Sequence, residues 1–220
     1  MNVLGTLNLI KAATERNAKQ FIFASTDWVY GDTHGKTPLT EEQVIDVAKI
    51  ETEYALTKLT GEQALRLAHQ RGACPVTVLR FGIVYGPPPN NNGAIESLFA
   101  AVQTQDAVQV GSLATARRFI HISDLAEGIC SAIGRTGFEL FNLSGNELIS
   151  LEDIIERSSQ FFGRSPEVRE TNPASVSIRN PDNSKARSVL GWEPVISLAD
   201  GLATLTESSH GTEHAESISS

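Results

Sequence analysis

The sequence predicts an α/β fold built on a parallel sheet, and three observations predict it. The chain opens with Val3, Leu7, Leu9, Ile10 and Ala13 at helical spacing. Short apolar runs rich in β-type residues, QFIFAS and PVTVLRFGIVYGPP, each follow a helical stretch. The resulting order, helix, strand, helix, strand, is the one that parallel strands joined by crossover helices require.

The elements follow in order. Residues 3–15 form an amphipathic helix, and QFIFAS a buried strand. EYALTKLTGEQALRLAHQRG is a second amphipathic helix, with Gly72 after its last apolar positions as a C-terminal cap. PVTVLRFGIVYGPP is a single buried strand stopped by prolines. NNNGAIESLFAAVQ reads as a polar loop and then a helix. RRFIHISDLAEGICSAIG reads as a short strand with a helix beginning near Ser123 or Asp124. FELFNLSG is a strand expected to return to the first sheet. SLEDIIERSSQFFG is a marked helix, with Ser150 as N-cap, Asp153 at the third helical position and Gly163 at the end. NSKARSVLGWEPVISLADGLATL is a last helical stretch with a Trp-Glu-Pro turn inside it. Residues 207–220 are rich in Ser, His and Glu without an apolar face and are expected to be disordered. The chain shows no internal repeat.

Composition narrows the function. At 220 residues with 40% hydrophobic and 20% charged side chains, the chain can bury a core. A net charge of −8 with scattered Lys and Arg argues against nucleic acid and anionic membrane surfaces as partners. It leaves room for an anionic small ligand, which needs only one or two local cations. No apolar run has the length of a membrane span, and the first residues lack a signal-peptide pattern. Cys74 and Cys130 have no second Cys or His at ligand spacing. No metal site is expected, and both are read as reduced core thiols of a cytoplasmic protein.

Three stretches carry chemistry together: ASTDWVYGD, YALTK and LRFGIVYGPP. Tyr54 and Lys58, four apart on a helix, share a face. An ammonium beside a phenol favours the phenolate, a competent base for a hydroxyl proton. The plainer alternative is a surface Tyr beside a solvated Lys. Thr26 offers a hydroxyl at the carboxyl end of a buried strand, where open α/β sheets hold ligands. The alternative there is a turn-forming Ser-Thr-Asp cluster.

Six ordered segments resemble the extended short-chain dehydrogenase/reductases, the NAD-dependent epimerase/dehydratase group. NVLGTLNLIKAA resembles N-V-x-G-T-x-N-L-x-x-A, ASTDWVYGD resembles S-[ST]-x-x-V-Y-G, and YALTK matches Y-x-x-x-K. LRFGIVYGP is similar to L-R-x-x-N-V-Y-G-P, RRFIHISDLAEGI to R-D-F-I-H-V-x-D-L-A, and NSKARSVLGWEP to D-x-S-K-A-x-x-x-L-G-W-x-P. The resemblance runs from Asn2 to about Leu205. It implies Tyr54 as general base, Lys58 as the group that assists it and holds the nicotinamide ribose, and Thr26 as the partner of the reacting oxygen. It places Asn2 and Gly82 beside an NAD or NADP cofactor, together with Thr26, Tyr54 and Lys58. It places Asp27 at the substrate and Arg117 on a nucleotide sugar's phosphates, a task that suits a guanidinium.

The family pattern begins with a strand and a G-x-x-G-x-x-G turn that seats a pyrophosphate on a helix N-terminus. None of the seventeen glycines here falls in that pattern. The resemblance therefore implies a partial Rossmann-type parallel sheet whose first strands and glycine loop are missing, with a smaller α/β substrate-binding lobe. Residues 1–86 are the remaining cofactor half, 87–206 the lobe with the strand near 138–144 returning to the sheet, and 207–220 the tail. Bare strand edges and uncovered apolar helix faces are the expected consequence. Three positions depart from the family pattern: Ile83 replaces Asn, Arg118 replaces Asp, and Trp28 replaces the Glu of sugar-nucleotide 4,6-dehydratases. The expected function is a nucleotide-sugar oxidoreductase of the epimerase/dehydratase type, allowing a homodimer. A hydroxy-ketone or steroid-like substrate and a cofactor-free binding or scaffold protein are the alternatives.

Overall fold

The computed structural model describes residues 2–33, 35–87 and 93–207. Thirteen of the residues expected to form a disordered tail, 208–220, lie outside the described residues. The central sheet has three parallel strands in the order β1 (Phe21–Thr26), β2 (Val76–Phe81) and Phe138–Leu143. Phe21 pairs with Val76, which pairs with Phe138, and the register holds to Thr26, Phe81 and Leu143. In the middle strand Val76, Val78 and Leu79 are all buried, so both faces are covered and the sequence runs apolar without alternation.

Helices cover both faces. α1 (Asn2–Glu15) and α2 (Glu53–Gln70) close one side, where Ile10, Phe23, Leu65, Val76, Val78 and Leu140 form a cluster. Gly61 of α2 is pressed on the sheet: a Cβ there would lie 2.8 Å from the Phe23 ring. On the other side Leu79, Leu125, Phe141, Leu143 and Trp192 pack together.

The stretch expected as one long strand is two. β2 ends at Phe81, and β3 (Ile83–Tyr85) leaves the central sheet to pair with Phe119–His121. The break falls at Gly82, where a Cβ would come within 2.6 Å of the Arg118 carbonyl oxygen and 3.2 Å of the Ser144 side chain. That close approach turns the chain from one sheet into the next.

Beyond β3, α3 (Ala94–Thr104) leads to the short strands β4 (Ala107–Val110), β5 (Ala116–Arg117) and β6 (Phe119–His121). Then come α4 (Ile122–Ser131), β7 (Phe138–Leu143), β8 (Ile149–Ser150), α5 (Leu151–Phe162), β9 (Glu167–Glu170) and β10 (Ile178–Arg179). α6 (Ser184–Leu190) and α7 (Leu198–Glu207) end the described chain. α3 and α5 enclose a second core with Tyr85, Ile95, Phe99, Phe119, Ile154 and Leu202. β4 pairs with β9, and β5 lies between β10 and β8.

The predicted caps of α5 are present: Ser150 and Asp153 form a reciprocal capping box, and Gly163 ends the helix at φ 63°. α4 begins at Ile122, earlier than expected, because His121 caps it by accepting the Ser123 N–H at 3.3 Å. In α4 the inward positions are Asp124, Leu125 and Gly128. Cys130 falls on the opposite face and is exposed, so it is not the core thiol expected; Cys74 is half-buried against the cluster of Ile10, Phe23 and Leu65, and both are free. The Trp-Glu-Pro turn is anchored by Asp124, whose carboxylate takes the N–H groups of Val195 and Ile196 at 3.1 and 3.0 Å. The Trp192 indole donates to the Asp124 carbonyl at 3.0 Å.

Two surfaces are open. β1 has one strand neighbour among the described residues, β2. The Phe21 N–H points to β2, bonding Pro75 O at 2.8 Å. By alternation, the backbone groups of Ile22, Ala24 and Thr26 face the free edge. On α1 only Thr6 and Ile10 are buried, while Leu4 and Leu9 are 72% and 62% exposed. Among the described residues no helix is long and apolar enough to cross a membrane.

Candidate active site

The site is assembled where β1 ends. Thr26, the last residue of the strand, is buried, and its Oγ1 accepts the Trp28 N–H at 3.3 Å as the chain enters a short 3-10 turn, Asp27–Tyr30. α2 starts alongside, capped by Thr52, whose hydroxyl accepts the Ala55 N–H at 3.2 Å. Tyr54 therefore stands in the first turn of α2, half-exposed, with Lys58 one turn further on. The Lys58 ammonium lies 5.7 Å from the centre of the Tyr54 ring and 5.2 Å from that of Phe23. It donates to Ala24 O at 2.8 Å, a carbonyl on the free edge of β1. Burial lowers the Lys58 pKa. Asn2 reaches the same helix, donating from Nδ2 to Thr57 Oγ1 at 3.2 Å.

Beneath this surface runs a buried polar network that motif reasoning missed. Glu62 of α2 accepts from Ser25 Oγ and takes Arg80 of β2 bidentately at 3.0 and 2.7 Å. The Arg80 guanidinium lies 4.8 Å from the centre of the Tyr30 ring. Tyr30 donates to Asn142 Oδ1 at 2.8 Å, and burial pushes its pKa up to about 12. The network locks β1, β2, β7 and α2 together directly below Thr26.

A cavity of about 450 Å³ opens beside the start of α2. Its walls include Trp28, Thr52, Ile83, Phe119, Arg117 and Arg179. Arg117 reaches the cavity, but its guanidinium is also engaged by protein. Nη1 donates to Ala116 O and Ser177 O at 2.8 and 2.6 Å, and Nη2 to Ser177 Oγ at 2.6 Å. Asp32 lies 3.6 Å away. Burial and the neighbouring Arg179 lower the Arg117 pKa to about 10. Arg118, next in sequence, donates to Asn180 Oδ1 at 2.6 Å and is not among the lining residues.

Arg179 carried no signal in the sequence, since nothing in SIRNPDNSKA marks it as more than a surface cation. It is 5% exposed and pairs with Asp32 at 2.6 Å through Nη1. It stacks on Trp28 at 4.4 Å. Its Nε lies 3.5 Å from Asp27 Oδ2. Asp27 is fully buried and neither of its oxygens has a hydrogen-bond partner among the described residues. Burial, opposed by Arg179 and Arg117, pushes its carboxyl up to about 6. Gly82, expected at a cofactor, has the space of its missing side chain filled by Arg118 O and Ser144. A second cavity, about 520 Å³, is bordered by Glu41, Arg66 and Lys185 and holds none of the predicted residues. Among the described residues no cluster of His, Cys, Asp and Glu could hold a metal ion.

The fold and this site meet in one family. Residues 1–143, most of the chain, match the model of the NAD dependent epimerase/dehydratase family, and the chain belongs to it. The UDP-glucuronate 4-epimerase of Thermodesulfobacterium geofontis is 30% identical over 91% of this chain and 62% of its own length. UDP-glucuronic acid decarboxylase 3 of Arabidopsis thaliana is 28% identical over 94% of this chain and 62% of its own. The chain thus spans about three-fifths of the length of these curated relatives. The solved structure of UDP-glucuronic acid 4-epimerase from Bacillus cereus, in complex with UDP-glucuronic acid and NAD, superimposes with a TM-score of 0.82 at 26% identity. That superposition covers 96% of this chain and 67% of the other.

Proposed function

We propose that this chain carries the catalytic and sugar-binding part of an NAD(P)-dependent oxidoreductase of the epimerase/dehydratase type acting on a nucleotide sugar. One observation carries the reading: the cavity walled by Arg117 and Arg179 is also lined by Trp28, two residues after Thr26, and by Thr52, two residues before Tyr54, while Lys58 bonds the Ala24 carbonyl of β1. In this reading residues 1–86 and the strand near 138–144 belong to the cofactor half, and residues 87–206 form the substrate lobe.

The donor set fits the reactive end of a nicotinamide cofactor. Lys58 offers an ammonium to a ribose, Tyr54 stands one turn away, and Asn2 lies on the neighbouring helix. When bound, that cofactor accepts and returns a hydride. The 220 residues hold no G-x-x-G-x-x-G turn for its pyrophosphate, so we assign that anchor to a segment outside them. The free edge of β1 and the exposed apolar side chains of α1 are where such a segment would pack.

This chain's own groups divide the work. Tyr54 takes the proton of the sugar hydroxyl as that carbon is oxidised and returns it on reduction. Thr26 holds the same oxygen by hydrogen bond. Lys58 supplies the positive charge beside Tyr54. Trp28 occupies the place of a carboxylate, and its indole N–H neither accepts a proton nor serves as an acid. That favours epimerisation or oxidation over loss of water.

The reading is tested by titrating the chain with UDP-glucose and UDP-glucuronate in a calorimeter. Saturable binding of at least one, lost on blocking the cavity with Ile83→Trp, is the expected result. No binding of either nucleotide sugar by a folded chain contradicts it.

A further inference from the structure

The second cavity, about 520 Å³, lies at the other edge of the central sheet and is lined there by Phe138 and Leu140. β7 has one strand neighbour among the described residues, β2. The Val76 and Gly82 N–H groups donate to Gly137 O and Leu143 O at 2.9 Å each. By alternation, Phe138, Leu140 and Asn142 turn their backbone groups away from β2. The chain closes this edge at one end. Glu41 Oε1 takes the Asn142 N–H at 2.7 Å, and Asn142 Nδ2 donates to Leu39 O at 3.0 Å. Among the described residues Leu140 has no such cap, so its N–H and C=O are open to a further strand.

The charges on the cavity wall give this edge a direction. Arg80 is taken by Glu62, and Lys185 lies 3.7 Å from Glu139. Glu41, Glu42 and Arg66 line the same cavity without an ion pair among the described residues. The Arg66 guanidinium lies 4.5 Å from the centre of the Phe138 ring, at the start of β7. Glu41 stands at Asn142, four residues on and roughly 13 Å along the strand. Ile45, Val47 and Leu59 supply an apolar part of the wall.

We propose that the β7 edge is a docking site for an extended segment of another protein, added as an antiparallel strand. Directly opposite residues of paired strands share a face. The segment therefore presents a basic residue opposite Asn142, an apolar one opposite Leu140 and an acidic one opposite Phe138. That order places the base at the two glutamates and the acid at Arg66. It also fixes the direction, because a parallel strand with the same order would set like charges together. The apolar residue exchanges both backbone hydrogen bonds with Leu140. Backbone pairing supplies affinity, and the order of side chains supplies selectivity.

The test is fluorescence anisotropy of labelled peptides, acetylated and amidated so that only side chains carry charge. The peptide KTVTE is expected to bind the chain saturably. The reversed peptide ETVTK should bind about fivefold or more weakly. Methylating the valine nitrogen of KTVTE should abolish binding, while methylating the nitrogen of the threonine after it, which faces away from β7, should not. Amide exchange at Leu140 should slow when KTVTE binds, and Arg66→Glu should remove the preference for KTVTE over ETVTK. No saturation up to about 1 mM overturns the proposal, as does equal or inverted preference between the two peptides, or binding that survives methylation at valine. Protection of the Leu140 amide that rises with chain concentration alone assigns the edge to a second copy and also overturns it. No nucleotide is present, so each outcome is independent of the nucleotide-sugar reading.

Discussion

Asp27 shows how one residue's surroundings decide its use. The motif that contains it is legible in ASTDWVYGD, but its environment is not, because the partner that matters, Arg179, lies over 150 positions away. The same distance hid the stack on Trp28. A sequence shows that Trp28 replaces a carboxylate; only the fold shows that an arginine lies across its face. Asp27 also sets a pH dependence. Its carboxyl is raised by burial from 3.8 to about 6, so folding favours the protonated form. That contribution is fully present below the ordinary value and is lost as pH rises through about 6. Relative to Asp27→Asn, the wild-type chain should therefore lose stability between pH 4 and pH 7, by about 2–2.5 kcal/mol at about 1.4 kcal/mol per unit. Chemical denaturation of both proteins at the two pH values measures it. A constant difference contradicts the burial of a titrating carboxyl at this position.

At the scale of elements, α2 and β2 position the site through the Glu62–Arg80 pair. Both side chains are nearly inaccessible, at 1% and 3% exposure, and the bidentate contact satisfies most of their donors and acceptors. Removing one partner strands the other charge in the core. Arg80→Met should cost about 3–5 kcal/mol, and the double variant Glu62→Gln with Arg80→Met less than the sum of the single changes. Urea unfolding of the four proteins closes the cycle, and strict additivity would rule out the pairing. The long periodic elements were legible: α1, α2, β1 and the capped α5 lie where apolar spacing and Ser150, Asp153 and Gly163 put them. The two- to four-residue strands β4, β5, β8, β9 and β10 were not. Runs so short have no period of their own, and their pairing is set by partners far along the chain. The break at Gly82 was hidden for the same reason, since what requires glycine there is the Arg118 carbonyl.

Across the whole molecule, Thr26, Tyr54 and Lys58, the groups we propose as catalytic, lie next to the free edge of β1. Lys58 bonds the edge carbonyl of Ala24. A strand arriving beside β1 would compete for that carbonyl and turn the ammonium toward whatever binds near Tyr54. The most direct test joins the glycine-turn segment of a family relative ahead of Asn2, supplies NAD and UDP-glucuronate, and follows the sugar product by mass spectrometry and nuclear magnetic resonance. An epimerised or oxidised sugar is predicted, with no loss of water and with product formation abolished in Tyr54→Phe while nucleotide-sugar binding is retained. Turnover by Tyr54→Phe at the wild-type rate would contradict the account.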